Sequence, residues 1–406
     1  MFRLKRSSLV CFLLLIPIFQ PIYLEVVLSP IRMYLLLALA GLAYAVFKVI
    51  GRREKISTIS IVMILYVCTL MFSTVLGKGY FQGALIYAIR ISLLVLIFEM
   101  YSDKIGVLLK SLMVHSEICV YLNFLTILIA PDGFFSRSNS AYGMTQEWFL
   151  GADNAFAMWL VPALIISWIY NEYFKNKARC VLLTIVVVVT EIIQGSATGI
   201  VGVVLFLTLI SFPFIKHLFT PIKGILLAGA AFSIIVLFRN VDFLEPIMEF
   251  LGKDVTFTGR VVIWDNAIKS ISDNPILGYG VLVNDEMISY LGKMRFGIAE
   301  GATHCHCQFL QVAFQGGMVA CVLFVLVYVF AIKENRKVWQ YRISRYGVYG
   351  LIVYTVMGIT EVLDNPLMLL LFPLSYYVSK TRCSMDEFPK GHGPKIIYNR
   401  VWRSKE

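Results

Sequence analysis

Runs of about 20 apolar residues, each long enough to cross a bilayer as a helix, recur along the whole chain with short charged patches between them. They predict twelve helical spans, at 8–28, 31–50, 57–77, 80–100, 111–130, 151–170, 180–194, 198–215, 221–238, 304–332, 346–361 and 364–379. Most connections are short. Two are not: residues 131–150, with Pro131, Asp132, Gly133, Arg137, Asn139, Glu147 and Trp148, and residues 239–303. Twelve spans place both ends of the chain on one side, and both long connections on the other.

The cations agree with that arrangement. If the termini face the cytoplasm, 26 of the 36 Lys and Arg fall in cytoplasmic segments and nine outside, with Arg90 inside a span. Cytoplasmic loops carry this excess in membrane proteins, so the expected location is the cytoplasmic (inner) membrane, multi-pass, with both termini cytoplasmic. The chain is 59% hydrophobic and 15% charged, against roughly 25% charged for soluble domains. Its net charge of +11 would suit nucleic acid, but the cations are spread through short inter-helix patches, so no nucleic-acid partner is expected. The expected fold class is an all-α polytopic membrane protein. Its parts are 1–238 (about nine N-terminal helices), 239–303 (a large extracytoplasmic loop), 304–379 (about three helices) and 380–406 (a cytoplasmic tail).

Eight cysteines are scattered, mostly in or beside apolar runs, and show no secreted disulfide framework. Arg3, Lys5 and Arg6 before Leu9–Ile16 imitate a signal peptide. No small-residue cleavage site follows, and Pro17 and Pro21 lead into more apolar sequence, so a retained first helix is expected.

Inside the large loop, Val261, Trp264, Ile268 and Ile271 repeat at helical spacing, with Asp265, Asn266 and Lys269 on the other face. This predicts a short amphipathic helix, capped by Thr258, lying on the membrane surface or against the bundle. Asn274-Pro275 and Gly278-Tyr279-Gly280 read as its stop and a turn.

Thr258-Gly259-Arg260-Val261-Val262-Ile263-Trp264, followed by Asn274-Pro275-Ile276-Leu277-Gly278-Tyr279-Gly280, resembles the signature loop of the O-antigen polymerase and ligase superfamily. Members show Gly-Arg, a Trp shortly after, then Pro-x-x-Gly-x-Gly. His306-Cys307-Gln308-Phe309-Leu310-Gln311, with Gly317 eleven residues after the His, resembles the family's His-Asn-x-x-Leu entry into the next helix, with Cys307 in place of Asn. Gly151-Ala152-Asp153-Asn154 resembles an Asn-containing motif that opens a span. At Ser196-Ala197-Thr198-Gly199 many members carry Ser-Arg-Gly; Ala197 replaces that Arg, leaving Arg137, Arg239 or Arg90 as a second phosphate-binding arginine.

The resemblance implies a GT-C-like membrane glycosyltransferase: a surface polysaccharide polymerase (O-antigen, capsule or exopolysaccharide) moving glycan from a polyprenyl-pyrophosphate-linked oligosaccharide onto a lipid-linked acceptor. It implies an inverting, metal-independent reaction without cofactors, in contact with membrane lipid and with a chain-length regulator and a flippase as partners. A ligase that delivers glycan to lipid A core, and a flippase of lipid-linked oligosaccharide, are the alternatives.

Arg260 suits the leaving pyrophosphate because its planar fork grips two oxygens and stays charged. A neutral imidazole suits removal of the acceptor hydroxyl proton near neutral pH. The family register selects His306, with Thr303 capping a helix that carries it in its first turn. Periodicity instead groups His304, Gln308, Gln311 and Gln315 into one polar stripe, leaving His304 as the other base or a wall of the acceptor groove. Arg90, mid-span, is expected to face the interior, with Glu191, Glu361 and Asp364 as candidate partners. Asn154 offers hydrogen bonds to sugar hydroxyls or a helix cap, and Trp264 a packing anchor for Arg260. His304-Cys305-His306-Cys307 has zinc-ligand chemistry, but its residues are too tightly spaced to close on one ion, and no metal is expected.

Overall fold

The computed structural model describes residues 6–27, 31–51, 55–139, 143–212, 214, 217, 219–238, 257–294, 297–298 and 302–380. They form a helical bundle with two small hairpins. In chain order the elements are α1 (Arg6–Leu15), α2 (Ile22–Val27), α3 (Ile31–Gly51), α4 (Thr58–Leu76), α5 (Phe81–Met100), α6 (Ile105–Ile129), β1 (Phe135–Asn139), β2 (Gly143–Glu147), α7 (Asp153–Phe174), α8 (Lys177–Gln194), α9 (Ala197–Ser211) and α10 (Pro221–Phe232). After them come α11 (Phe257–Asp273), α12 (Asn284–Leu291), β3 (Lys293–Met294), β4 (Gly297–Ile298), α13 (Gln308–Lys337), α14 (Arg342–Met357), α15 (Pro366–Leu369) and α16 (Leu371–Lys380). Six helical stretches among the described residues are long and apolar enough to cross a membrane: Met33–Gly51, Thr58–Leu76, Phe81–Met100, Ser102–Ile129, Asp153–Phe174 and Gln308–Lys337. Many large apolar side chains on the bundle's outside, among them Phe47, Phe72, Ile192 and Leu226, stay exposed, as a lipid-facing surface requires. The protein is a multi-pass membrane protein.

Local chemistry sets the helix ends. Ser57, Asn176 and Ser196 each accept a backbone N–H three residues on and cap α4, α8 and α9. Asn365 accepts from Leu367 N, with Pro366 in the first turn of α15. The span expected at 8–28 is not one helix: it breaks between Leu15 and Ile22, around Pro17 and Pro21, whose rings cannot continue the ladder. Arg90 of α5 donates from Nε to the carbonyl oxygen of Pro17 (3.1 Å) and so satisfies a backbone group freed by that break.

The bundle has two ends of different character. At one, Ser57 N and Oγ both donate to Glu99 Oε1, and Ser57 Oγ meets Tyr377 Oη. That end carries the termini of α1, α3, α5, α7, α13 and α16, with Lys104, Lys175, Arg179, Lys337, Arg342 and Lys380. The other end gathers the Gly77–Tyr80 turn, the β1–β2 hairpin, α11, α12 and the entry to α13.

At this second end a loop plugs a break in a helix. Pro275–Gly280, after α11, docks where α13 is interrupted at Gly317 (φ 58°, ψ −157°). Tyr279 N and Gly280 N donate to Phe314 O (2.9 Å) and Gln315 O (2.8 Å), and Met318 N donates to Pro275 O (2.8 Å). The loop thus takes up polar groups that the broken helix leaves open. Beyond it, Val281 N donates to Thr74 Oγ1 of α4, and Tyr80 N to Val281 O. Two glycines permit the contact. A Cβ on Gly317 would collide with the backbone of Ile276, and one on Gly278 (φ 63°) with Phe314 O. Gly317→Ala is therefore expected to destabilise the fold by about 3 kcal/mol or more. Gly229→Ala in α10, where an added Cβ meets nothing within 4 Å, is expected to be neutral or to stabilise by up to about 1 kcal/mol. Thermal unfolding of both variants in detergent checks the pair; equal midpoints would show that the docking does not need glycine.

Candidate functional site

Helix α11 is longer than the repeat predicted. It begins at Phe257, so Thr258 lies in its first turn rather than at its cap. It packs against α13 and α12 of the bundle, and Trp264, Ile263, Ala267, Leu310, Phe314 and Met287 form a second apolar core. Asn266, expected on the polar face, is fully buried and donates Nδ2 to Leu291 O (2.8 Å). Sequence spacing missed it because α12 covers the side of α11 that periodicity assigned to solvent.

Helix α13 begins at Gln308, with Cys307 at its cap. His306 therefore precedes the helix, in a bend with φ 44°, and does not occupy a first turn capped by Thr303. The proposed stripe also dissolves. His304 lies outside the helix, while Gln308 and Gln311 are buried ties: Leu363 N donates to Gln308 Oε1 (2.6 Å) and Cys305 N to Gln311 Oε1 (2.9 Å).

These ties bring three segments together. Glu361, in the connection after α14, lies with Oε2 3.6 Å from Arg260 Nη2 and Oε1 3.9 Å from His306 Nδ1. The His304 and His306 rings are 3.9 Å apart. Trp264 anchors the histidine segment rather than Arg260 alone: its Nε1 donates to His306 O (3.4 Å). Beside this cluster opens a cavity of about 350 Å³, lined by Asn154, Thr303, His304, Gln311, Gln315 and Glu361, with Asp364 and parts of α12.

Electrostatics keep both rings uncharged. Burial, then His304 and Arg260, push the His306 pKa down to about 2, and burial with Arg260 pushes His304 down to about 4. Burial pushes Glu361 up, while Arg260 pulls it back toward the ionised form. Unfolded histidine takes up protons near pH 6.5 and the folded rings do not. Acidification from about 6.5 toward these folded values therefore favours unfolding.

The two histidines have different proton inventories. His304 Nδ1 accepts the backbone N–H of His306 (3.2 Å), so its neutral ring carries its proton on Nε2, which serves as a donor. His306 Nδ1 is buried with no hydrogen-bond partner among the described residues and faces the Glu361 carboxylate. A proton on Nδ1 leaves Nε2 as the free base.

Not every expected residue joins the cluster. Asn154 does, from the first turn of α7. Arg137 is paired within its hairpin, Nε donating to the buried Glu147 (2.9 Å). Arg90 lines a separate cavity of about 110 Å³ with Pro17, Gln20, Glu25 and Tyr34; of its expected partners, Glu361 pairs with Arg260 instead. Arg239 lies outside the described residues. His304, His306 and Glu361 each offer an atom within 4.8 Å of the others, close enough to hold a metal ion. Cys305 and Cys307 are not part of that set: both thiols are buried, and burial pushes Cys307 up to about 12.

Residues 180–325 match the family model described as O-antigen ligase. This stretch contains Arg260, Trp264, His304 and His306 of the cluster and Gly278 and Gly317 of the docked loop. Over this stretch the chain is similar to the O-antigen polymerase/ligase superfamily. Two curated proteins of similar sequence come from Rickettsia and are named as candidate polysaccharide ligases. The one from Rickettsia conorii is 24% identical over 226 residues, 51% of this chain and 53% of that protein. The one from Rickettsia felis is 23% identical over 243 residues, 56% of each. The matched part of the chain thus spans about half the length of these relatives. Glu361 falls beyond the residues matched to the family model, and the sequence singled it out only as a candidate partner for Arg90, at the end of the span expected at 346–361.

Proposed function

We propose that this protein is a surface-polysaccharide polymerase, transferring glycan from a polyprenyl-pyrophosphate carrier to a second lipid-linked glycan at the outer face of the cytoplasmic membrane. The observation that carries the reading is the meeting of Arg260, Glu361 and His306 beside a polar cavity, at the bundle end that bears the long loops. In this scheme the acceptor hydroxyl gives its proton to His306 Nε2 as its oxygen attacks the anomeric carbon. The bond from that carbon to the pyrophosphate oxygen breaks, and inversion follows from attack opposite the leaving group. Arg260 stabilises the charge that grows on the departing diphosphate. Glu361 holds the His306 tautomer, balances Arg260 before the donor arrives, and stabilises the imidazolium once it forms. His304 Nε2–H, Asn154, Gln311 and Gln315 offer hydrogen bonds to sugar hydroxyls.

The names of the relatives and of the matching family favour a second reading, ligation of a finished glycan to an acceptor lipid. Reconstitution of the purified protein with lipid-linked repeat units and a chelator separates the readings. Ladders of carrier-linked product indicate polymerisation. Product formed only when lipid A core is added indicates ligation, and no transfer in either case removes both.

Two further outcomes are expected. Glu361→Gln keeps the shape but removes the charge, and is expected to lower the transfer rate about 100-fold with a smaller change in donor affinity. The rate is also expected to stay level from pH 7.5 to about 5.5 as far as His306 controls it, because that ring takes up no proton until far below 6.5. An acid limb centred near 6.5 would show that a solvent-exposed histidine is the base instead.

A further inference from the structure

The end of the bundle away from the cavity carries a second recess that the transfer reaction does not use. It has a volume of about 700 Å³ and lies between α1, α3 and the junction of α5 with α6. Three cations from three separate segments line it: Arg6 at the start of α1, Lys48 in the last turn of α3, and Lys104 just before α6. Among the described residues, none of those lining it is acidic. Asp103, adjacent to Lys104, is not part of the lining. Apart from Ser7 and Gly51, the rest of the described wall is apolar or aromatic, with Val10, Tyr44 and Phe47, and Phe47 is strongly exposed on the outer surface of α3. Lys48 Nζ also lies 5.6 Å from the Tyr44 ring centre.

A water-soluble anion would need only the cations. A recess that also runs onto an exposed aromatic and aliphatic helix face, at the level where helices leave the membrane, matches a molecule with a charged head and apolar tails. Basic pockets between membrane helices on the cation-rich side bind anionic headgroups in this way. We propose that this recess binds the phosphate headgroup of an anionic phospholipid, with Arg6, Lys48 and Lys104 around the phosphate and the acyl chains along Val10 and Phe47. The site is independent of the catalytic cluster and does not rest on the transfer reading.

The test is native mass spectrometry of the full chain in neutral detergent, titrated with phosphatidylglycerol. Each cation near a headgroup contributes about a factor of 5. Lys48→Gln and Lys104→Gln are therefore expected to weaken binding about 5-fold each, and the Arg6→Gln/Lys48→Gln/Lys104→Gln triple variant about 100-fold. A Lys48→Arg/Lys104→Arg variant is expected to retain binding. So is a Lys177→Gln/Lys333→Gln/Arg336→Gln variant, which removes as many charges from other helices. Phosphatidylcholine is expected to bind weakly to all, and inorganic phosphate to displace the lipid only in large excess. Three results would each overturn the proposal: wild-type affinity in the triple variant, equal loss in the two triple variants, or displacement by inorganic phosphate at concentrations matching the lipid. The last would mark the recess as a site for a free ion.

Discussion

Replacing His306 with glutamine is expected to cut glycan transfer by about 100- to 10,000-fold, the range supplied by a positioned general base, while the protein still accumulates in the membrane. The size follows from the isolation of the ring. Its Nδ1 faces Glu361 and meets no other partner among the described residues, and the cluster has only one other imidazole. That imidazole, His304, has its Nδ1 occupied by the backbone N–H of His306, so it cannot accept the acceptor's proton without rearrangement. A glutamine at 304 can still donate a hydrogen bond from its amide. His304→Gln is thus expected to weaken acceptor binding more than turnover. Polymer length on a polysaccharide gel, with initial rates from reconstituted protein, reads both variants. An active His306→Gln protein beside an inactive His304→Gln protein would reverse the two roles.

Removing the guanidinium should be comparably severe. Arg260→Ala is expected to lose about 3–4 kcal/mol of transition-state stabilisation, a 100- to 1,000-fold drop in rate, as when one preorganised donor is removed from a developing anion. Arg260→Lys should recover part of it, because a point charge remains while the two-pronged grip is lost. A second signature separates this role from a packing role. The positive charge of Arg260 helps to hold His306 below the usual histidine range. In Arg260→Gln the residual activity should therefore show its acid limb at higher pH than the wild type. An unshifted limb would mean that the arginine is too far from the base in the working state to act on it.

Much of the helical layout was legible because apolar runs near membrane length leave few alternatives. The helix starts at 31, 58, 81, 153, 177, 197 and 221 fall within a few residues of the expected spans. What periodicity could not show is where a helix is interrupted for the sake of another segment. The run 304–332 reads as one continuous span, yet it begins at Gln308 and breaks at Gly317, because Pro275–Gly280 supplies backbone partners from elsewhere in the chain. At the start of the helix, Gln308 N donates to Gly358 O (2.8 Å) and Cys305 N to Gln311 Oε1 (2.9 Å), and these contacts from outside the helix leave His306 before it. Arg260 and His306 were selected by family motifs, and the structure brings both to one carboxylate. Glu361 was noticed only as a possible partner for Arg90, since nothing in a linear pattern says which of two arginines an acid will meet.

The first two turns of α13 tie together the segments that bear Arg260, the histidines and Glu361. Gln308 fastens the connection that bears Glu361, Gln311 fastens Cys305 beside the histidines, and the carbonyl oxygens of Phe314 and Gln315 receive the strap that follows the arginine helix. The reacting groups are therefore surveyed from a single landmark, and the tilt of the surrounding helices does not enter their spacing. Bilayers of different thickness, which membrane proteins accommodate by tilting and local adjustment, should leave the spacing of these groups, and hence the chemical step, nearly unchanged.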